Sequence, residues 1–251
     1  MLLPIIRKIV PGHIRPIRYL AHLTRKNTNL RVRSGPFKEM RYVGHSVGSA
    51  YIPKLLGIYE RELAPQVEEI CTQGPSLIVD IGAAEGYYAI GLATRNPRAQ
   101  VIAFEMEEAG RLLLDEMARL NEVADRVDIR GKCEPHDLQQ VLAGTNNPVI
   151  VCDVEGYEEA LLDPAAVPAL RGGTILVEMH DMVLPGITEK LQARFTATHQ
   201  ISRIWQEARS RTEFPWKTLG TRLLPNSYIE WAVSEWRPAK MSWLWMKPRE
   251  N

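Results

Sequence analysis

The stretch at residues 77–91 constrains the fold more than any other part of the chain. Its first five residues are apolar apart from Asp80 and mostly β-branched, which is typical of a strand buried in a parallel sheet. The chain then turns through Gly82 and Gly86 and continues with residues that favour helix. A strand, a glycine turn and a helix predict the first crossover of a doubly wound sheet, in which ligands bind beyond the carboxyl ends of the strands.

The turn itself favours a cationic ligand over a phosphate. A dinucleotide fingerprint has the spacing G-x-G-x-x-G, whereas this turn has Ala84 where the middle glycine would stand. Asp80 and Glu85 add carboxylates, which repel phosphate and attract amine-bearing ligands. The next predicted strand ends in Glu105, 25 residues after Asp80, where an acid can accept hydrogen bonds from both hydroxyls of a ribose. Together these features predict a site for S-adenosylmethionine.

The same residues resemble the class I S-adenosylmethionine-dependent methyltransferases, in their D-x-G-x-x-x-G turn and their acid after the second strand. Residues 152–156 (C-D-V-E-G) and 176–180 (L-V-E-M-H) are similar to the D-x-E-G and V-E-x-H segments of FkbM-like methyltransferases. The resemblance covers roughly residues 75–202, about half of the chain. It implies methyl transfer, chiefly to a hydroxyl of a small molecule, a sugar or a lipid-linked glycan.

Seven segments have the composition of strands: 77–81, 100–105, 126–130, 148–154, 174–179, 199–205 and 228–234. Helical spacing is found at 87–94, 107–120 and 185–196, and in two short helices within 51–71. The alternation predicts an α/β fold with a doubly wound, largely parallel seven-stranded sheet, the Rossmann-like methyltransferase fold, and a helical N-terminal extension. The expected parts are a basic arm and helical extension at 1–74, the cofactor-binding core at 75–235 and a tryptophan-rich tail at 236–251.

Charge is unevenly distributed along the chain. Residues 1–38 carry nine Lys/Arg and no acid, which leaves −8 for the remainder of a chain whose net charge is +1. This arm can lie on an anionic surface, either lipid headgroups or a phosphorylated substrate, or pack as a solvated helix on the acidic body. Nucleic acid is disfavoured because aromatic residues are scarce in the arm.

Three cysteines without a disulfide framework, no membrane-spanning apolar run and no clear signal peptide predict a cytoplasmic protein. The basic arm makes the inner face of the membrane a candidate peripheral contact.

Two sets of residues are candidates for the site. The resemblance implies cofactor binding by Asp80, Gly82, Ala83, Glu85, Gly86, Glu105, Met106, Cys133 and Asp153. On the acceptor side, the ends of strands four and five carry Asp153, Glu155, Glu178, His180 and Asp181. One of Asp153, Glu178 or His180 can be the general base, since histidine in particular titrates near neutral pH. The same groups can instead hold a divalent cation or form a structural hydrogen-bond network, and no metal is predicted.

Two rival functions come from other classes. The fold can serve as a non-catalytic S-adenosylmethionine-binding scaffold that regulates a partner. Residues 44–48 (G-H-S-V-G) match the G-x-S-x-G elbow of serine hydrolases around Ser46. An elbow needs several strands before it, and only 43 residues precede Gly44, so a substrate-facing loop is favoured there.

Overall fold

The computed structural model of the protein describes residues 16–47 and 50–249. The chain divides into two compact units. Of the described residues, the first unit, which we call the helical unit, comprises 16–47, 50–61 and 207–237, and the second, the sheet unit, comprises 62–206 and 238–249. The first fifteen residues of the predicted basic arm and Gly48 of the predicted elbow lie outside the described residues.

The sheet unit is built on seven strands: β1 Leu77–Ile81, β2 Gln100–Phe104, β3 Val127–Arg130, β4 Val149–Cys152, β5 Thr174–Met179, β6 His199–Trp205 and β7 Ser242–Pro248. Their order across the sheet is β3-β2-β1-β4-β5-β7-β6. The pairs among β1 to β5 are parallel, whereas β7 is antiparallel to both β5 and β6. The strand order reverses between β1 and β4, which is the switch point at which open α/β sheets bind ligands.

The α-helices of the described residues are α1 Pro16–Thr28, α2 Tyr51–Leu56, α3 Ala64–Gln73, α4 Tyr87–Arg95, α5 Glu108–Leu120, α6 Pro135–Leu142, α7 Glu158–Leu161, α8 Ile187–Phe195, α9 Leu219–Leu223 and α10 Asn226–Val233. α2 is terminated by Gly57, which has φ +73°, and α3 begins seven residues later at Ala64. Pro65 lies in the first turn of α3, where its missing N–H costs no hydrogen bond. No helix within the described ranges is both long and apolar enough to cross a membrane.

The predicted fold class is confirmed, and the alternation of side chains along β1 explains how the sheet is buried. Leu77, Val79 and Ile81 project from one face into a large apolar cluster that also contains residues of β4, β5 and α8. Ile78 and Asp80 therefore project from the other face, and both are buried as well. A strand covered on both faces is what the continuous apolar run predicts.

One predicted strand is wrong. Residues 228–234 do not form a strand but most of α10, whose buried residues Ile229, Ala232 and Val233 follow helical spacing. The seventh strand is β7, in the predicted tail, where Trp243 and Trp245 are buried on a strand between β5 and β6. The β-branched and aromatic residues of α10 suggested a strand, and packing inside the helical unit overrode that preference.

The helical unit has its own core. Leu20 of α1, Ile52 and Leu56 of α2, Phe214, and the buried face of α10 form one apolar cluster. The predicted helical extension is thus present from Pro16 onward.

A buried ion network ties the two chain segments of the helical unit together. Glu235 accepts hydrogen bonds from Arg209 Nη2 at 2.6 Å and from Arg237 Nε at 3.0 Å. Its Oε1 atom also accepts the backbone N–H of Glu60 at 3.1 Å, and the Glu60 carboxylate pairs with Arg237. Because these charged groups are almost fully removed from water, each depends on its partners for solvation.

Candidate functional site

The loop after β1 lies directly against the end of β4. The backbone N–H of Asp153 donates to the carbonyl oxygen of Ile81 at 2.9 Å. Gly82 has φ +84°, and a Cβ atom there would stand 1.7 Å from the carbonyl oxygen of Asp153. Only glycine fits this approach, so Gly82 sets the distance between the two loops at the switch point.

The backbone N–H groups of the turn are committed within the protein. Those of Gly82 and Ala83 donate to the carbonyl oxygen of Phe104 at 2.9 and 3.0 Å. That of Ala84 donates to Glu105 Oε2 at 2.7 Å, and that of Gly86 to the Ala83 carbonyl oxygen at 2.7 Å. With these donors used internally, the turn lacks the converging N–H groups that cradle a pyrophosphate.

Glu105, at the end of β2, holds the loops on either side of it. Its Oε2 atom accepts from Ala84 and its Oε1 atom accepts the N–H of Glu107, both at 2.7 Å. Gly110 makes room for this carboxylate, since a Cβ at Gly110 would stand 2.7 Å from Glu105 Cγ. Each carboxylate oxygen keeps a second lone pair, so binding of a ribose hydroxyl by Glu105 stays a prediction with a compatible geometry.

The other predicted cofactor residues lie in different environments. Asp80 and Glu85 are buried, at 3% and 0% exposure, in β1 and in the turn that follows it. Met106 is 63% exposed, which leaves its side chain free to cover a ligand. Cys133 lies in the apolar cluster of the sheet, and burial together with nearby acids raises its pKa to about 12. The roles of these residues in binding S-adenosylmethionine stay predictions.

On the acceptor side, His180 forms a buried pair with Glu158. His180 directly follows β5, Glu158 is the first residue of α7, and the distance between His180 Nδ1 and Glu158 Oε1 is 2.6 Å. Glu158 Oε1 also accepts the backbone N–H of Gly156 at 3.2 Å. Because an ionised carboxylate can only accept, it fixes the ring and places a proton on Nδ1.

The other ring nitrogen of His180 faces two more carboxylates. His180 Nε2 lies 3.6 Å from Asp153 Oδ1 and 3.5 Å from Glu155 Oε2. Burial alone would lower the pKa of His180, but the bond from Glu158 and the charges of Asp153, Glu158 and Glu155 outweigh it and raise that pKa. The result is a histidine whose protonated form is stabilised and whose Nε2 edge lies at the rim of the sheet.

Glu178 lies within β5 rather than beyond its end. It pairs in register with Trp243 of β7 and is 3% exposed. The parallel register ends with Cys152 opposite Val177, so Asp153 and Glu178 stand in the next row on one face of the sheet. The structure thus brings Asp153 and His180 into contact and places Glu178 beside Asp153 in the same row of the sheet.

Asp153, Glu155 and His180 could also ligate a cation. One ligand atom from each lies within 4.8 Å of the other two. Carboxylate oxygens and an imidazole nitrogen suit several divalent metals, and a ligating histidine commonly donates its other N–H to a carboxylate, as His180 does to Glu158. The general-base and cation interpretations therefore use the same atoms.

Sequence reasoning missed Glu158. The D-x-E-G segment of the resemblance ends at Gly156, and Glu158 stands two residues later, at the start of a helix of only four residues. The available signal was an acid in the first helical turn after a buried strand and a glycine turn. An acid at that position can equally serve only to interact with the helix dipole, so the contact between Glu158 and His180 was needed to show its role.

The G-x-S-x-G motif around Ser46, disfavoured as a hydrolase elbow, also lacks the structural context of one. Residues 42–47 contain neither strand nor helix, so no strand leads into Gly44 as it would in a hydrolase. Ser46 belongs to the helical unit and lines a cavity there.

No protein-family model and no curated protein sequence matches the chain. Similar solved structures include the precorrin-6y C5,15-methyltransferase from Geobacter metallireducens, with 12% identity, a TM-score of 0.48 and coverage of 75% of this chain and 89% of that chain. The O-methyltransferase from Bacillus cereus in complex with SAH has 14% identity, a TM-score of 0.44 and coverage of 97% and 96%. TYW2 from P. horikoshii in complex with MeSAdo has 14% identity, a TM-score of 0.43 and coverage of 75% and 63%. The first two of these neighbours are methyltransferases. The assignment of the sheet unit to a Rossmann-like α/β fold rests on its own strand order, with five parallel strands and β7 antiparallel between β5 and β6.

Proposed function

We propose that the protein is an S-adenosylmethionine-dependent methyltransferase that acts on a hydroxyl oxygen. The observation that carries the proposal is the buried Glu158–His180 pair, whose Nε2 edge lies at the carboxyl end of β4 and β5. A buried histidine oriented by a carboxylate is equipped to accept a proton from a hydroxyl. It stands at the rim of the same sheet as the switch point of β1 and β4, where a ligand of this fold would bind.

The residues at the switch point fit the cofactor. Asp80, Glu105 and Asp153 supply carboxylates for ammonium and hydroxyl groups, while the N–H groups of Gly82, Ala83, Ala84 and Gly86 are already bonded within the protein. We assign the methionine part to Asp80 and the glycine turn, and the ribose to Glu105. When bound, S-adenosylmethionine supplies an activated methyl group on a sulfonium.

In the proposed reaction, His180 Nε2 takes the proton of the acceptor hydroxyl as its oxygen gains the methyl group. Glu158 keeps the other proton on Nδ1, so Nε2 carries the free lone pair before the step. Asp153 and Glu155 then stabilise the imidazolium that results. Because the pKa of His180 is raised, the rate is expected to increase as the pH rises through that pKa and deprotonates the ring.

The acceptor class rests on the resemblance to FkbM-like methyltransferases. It favours a hydroxyl of a small molecule, a sugar or a lipid-linked glycan. The cytoplasmic location and the contact of residues 1–38 with an anionic membrane stay predictions.

Calorimetry with S-adenosylmethionine and S-adenosylhomocysteine tests the cofactor. Asp80→Asn is expected to weaken binding about tenfold or more, because a charge-assisted bond is lost. Asp128→Asn is the matched control, since Asp128 is exposed on β3 and pairs only with Arg130 among the described residues. Absence of binding by either ligand to the wild-type protein would contradict the proposal.

A methyl-release assay over a panel of hydroxyl acceptors tests the reaction. His180→Gln is expected to lower kcat by about 10²- to 10⁴-fold without weakening cofactor binding. His136→Gln, at an exposed histidine, is the control. Cofactor binding without turnover on any acceptor would favour the scaffold function.

The cation alternative is tested separately. We expect turnover to persist in EDTA if His180 is the base. Restoration of activity by Mg²⁺ or Mn²⁺, together with a calorimetric Mn²⁺ site that His180→Gln removes, would assign Asp153, Glu155 and His180 to a metal instead.

A further inference from the structure

The helical unit contains an open cavity of about 820 Å³. Its walls come from one face of α1, from the segment at residues 44–46 and from Trp236. This volume lies within the range of about 300–1,000 Å³ that is usual for small-molecule sites. The described residues of the helical unit therefore include a concave surface that the proposed methyl transfer does not use.

The cavity is lined by positively charged and hydrogen-bond-donating side chains. Arg18, His22 and Arg25 follow one another at helical spacing on the exposed face of α1, and His45 stands on the facing segment. Arg25 donates to the carbonyl oxygen of Gly44 at 3.4 Å, whereas Arg18 and the two histidines form no hydrogen bond or ion pair within the described ranges. None of the described residues that line the cavity is an acid. A polyvalent anion would supply the acceptors that these groups lack.

The remaining wall is aromatic, and its polar atoms are already bonded. The hydroxyl of Tyr19 bonds with Thr218 at 2.8 Å, and the hydroxyl of Tyr51 donates to the carbonyl oxygen of Val43 at 2.8 Å. Trp236 donates its indole N–H to the carbonyl oxygen of Trp231 at 2.7 Å. These rings can therefore offer a ligand only apolar edges and faces.

Trp236 is held in an unfavourable backbone conformation. Its φ is +57°, a region that bulky residues rarely adopt. The ring stacks on Trp231 with centroids 5.1 Å apart and an interplanar angle of 24°. Yet it is still 46% exposed, which leaves part of its surface available to a ligand. Backbone strain that fixes a partly exposed aromatic ring is a feature of binding sites.

We propose that this cavity is a second binding site, for a phosphorylated small molecule that carries a flat ring. The phosphate binds to Arg18, Arg25 and the two histidines, and the ring packs on the aromatic wall. Arginine favours phosphate because its planar donors bind two oxygens at once. The proposal is independent of methyl transfer, since none of its residues belongs to the sheet unit.

Calorimetry on the full chain tests the site with three probes: phenyl phosphate, inorganic phosphate and benzoate. We expect phenyl phosphate to bind most tightly, because it alone has both the dianion and the ring. Arg18→Gln and Arg25→Gln are each expected to weaken its binding about tenfold. Trp236→Leu should weaken phenyl phosphate and leave inorganic phosphate unchanged.

Lys26→Gln is the matched control, since Lys26 is exposed on α1 next to Arg25 but does not line the cavity. It should leave the affinity for phenyl phosphate unchanged, and circular dichroism should show that every variant is folded. No binding of phenyl phosphate at millimolar concentration would overturn the proposal. Equal losses in Lys26→Gln and Arg25→Gln would also overturn it, because they would indicate a general basic surface. If anionic vesicles bind the wild type and phenyl phosphate does not compete, the cations serve lipid and the small-molecule site is excluded.

Discussion

Replacement of Glu158 by glutamine changes one atom of the buried pair with His180. The side chain of Glu158 is 0% exposed and that of His180 is 4% exposed, so solvent does not screen the 2.6 Å bond between them. Glutamine keeps the shape and can still accept a hydrogen bond from Nδ1 through its amide oxygen. The variant therefore removes the charge of residue 158 while retaining a neutral bond.

The cost in unfolding free energy follows from the kind of bond that is lost. A hydrogen bond to a charged group contributes about 1.5–3 kcal/mol and a neutral one about 0.5–1.5 kcal/mol. We therefore expect Glu158→Gln to destabilise the protein by about 1–1.5 kcal/mol, the difference between the corresponding ends of these two ranges. A larger loss does not follow, because His180 can lose its proton and so avoid an unpaired buried charge.

The loss should depend on pH with a definite sign. The pKa of His180 is raised in the folded protein, so folding favours the protonated ring. This stabilisation is fully present below the ordinary pKa of histidine and disappears as the pH rises through the raised pKa of His180. The difference in stability between wild type and Glu158→Gln should therefore be largest in mildly acidic solution. In the variant, the hydrogen bond and the charge of Glu158 no longer offset burial, so the pKa of His180 should fall.

Urea unfolding at a series of pH values, with EDTA present, measures the difference, and NMR titration of the histidine rings measures the pKa. Glu159→Gln is the control, since Glu159 is the next residue and forms a partly exposed ion pair with Lys190. Its effect should stay below about 1 kcal/mol. If Glu158→Gln left both the pH profile of stability and the titration of His180 unchanged, the argument for the pair would be refuted.

Three further predictions concern packing and the buried thiols. Gly82→Ala should prevent folding of the sheet unit, because its Cβ would meet the Asp153 carbonyl oxygen at 1.7 Å. Gly74→Ala is the control, since a Cβ there has open space and should cost only about 1–2 kcal/mol of backbone strain. Soluble expression and thermal unfolding compare the two variants. Glu235→Gln should destabilise the helical unit by about 3–5 kcal/mol because it leaves buried arginines underpaired, as tryptophan fluorescence in urea would show. Cys133, whose pKa burial raises to about 12, should resist a thiol reagent at pH 8 until the protein is unfolded.

The sheet was predictable from the sequence where burial on both faces dictates composition. The runs at β1, β4 and β5 are continuously buried and apolar, so they could be placed to within about two residues. The prediction failed at α10, because a short run with Tyr228, Ile229 and Trp231 suits either a strand or a helix. It failed at β7 because residues 236–251 were predicted to be a tryptophan-rich tail outside the sheet, whereas Trp243 and Trp245 lie on a buried strand that ends at Pro248.

The candidate site was predictable only to the level of the loops. Parallel strands place Asp153 and His180 at one rim, and the structure brings them to 3.6 Å. The contact between Glu158 and His180 joins residues that are 22 positions apart, and no local pattern encodes it. The cavity of the helical unit was equally hidden, because it joins α1 to Trp236 across more than two hundred residues of chain.

Two features of the sequence that were interpreted separately, Ala84 and Glu105, are joined by a hydrogen bond in the structure. The alanine at position 84 and the acid at position 105 both argued for an adenosyl ligand, and in the structure the N–H of Ala84 donates to Glu105 Oε2. Ala84 itself has φ +48°, so the bond also helps to hold a residue in a conformation that glycine would adopt more readily. A substitution at Glu105 would therefore disturb the turn as well as any ribose contact. Weaker cofactor binding by Glu105→Gln can be assigned to the ribose only if its stability matches the wild type, because a loosened turn would weaken the whole ligand.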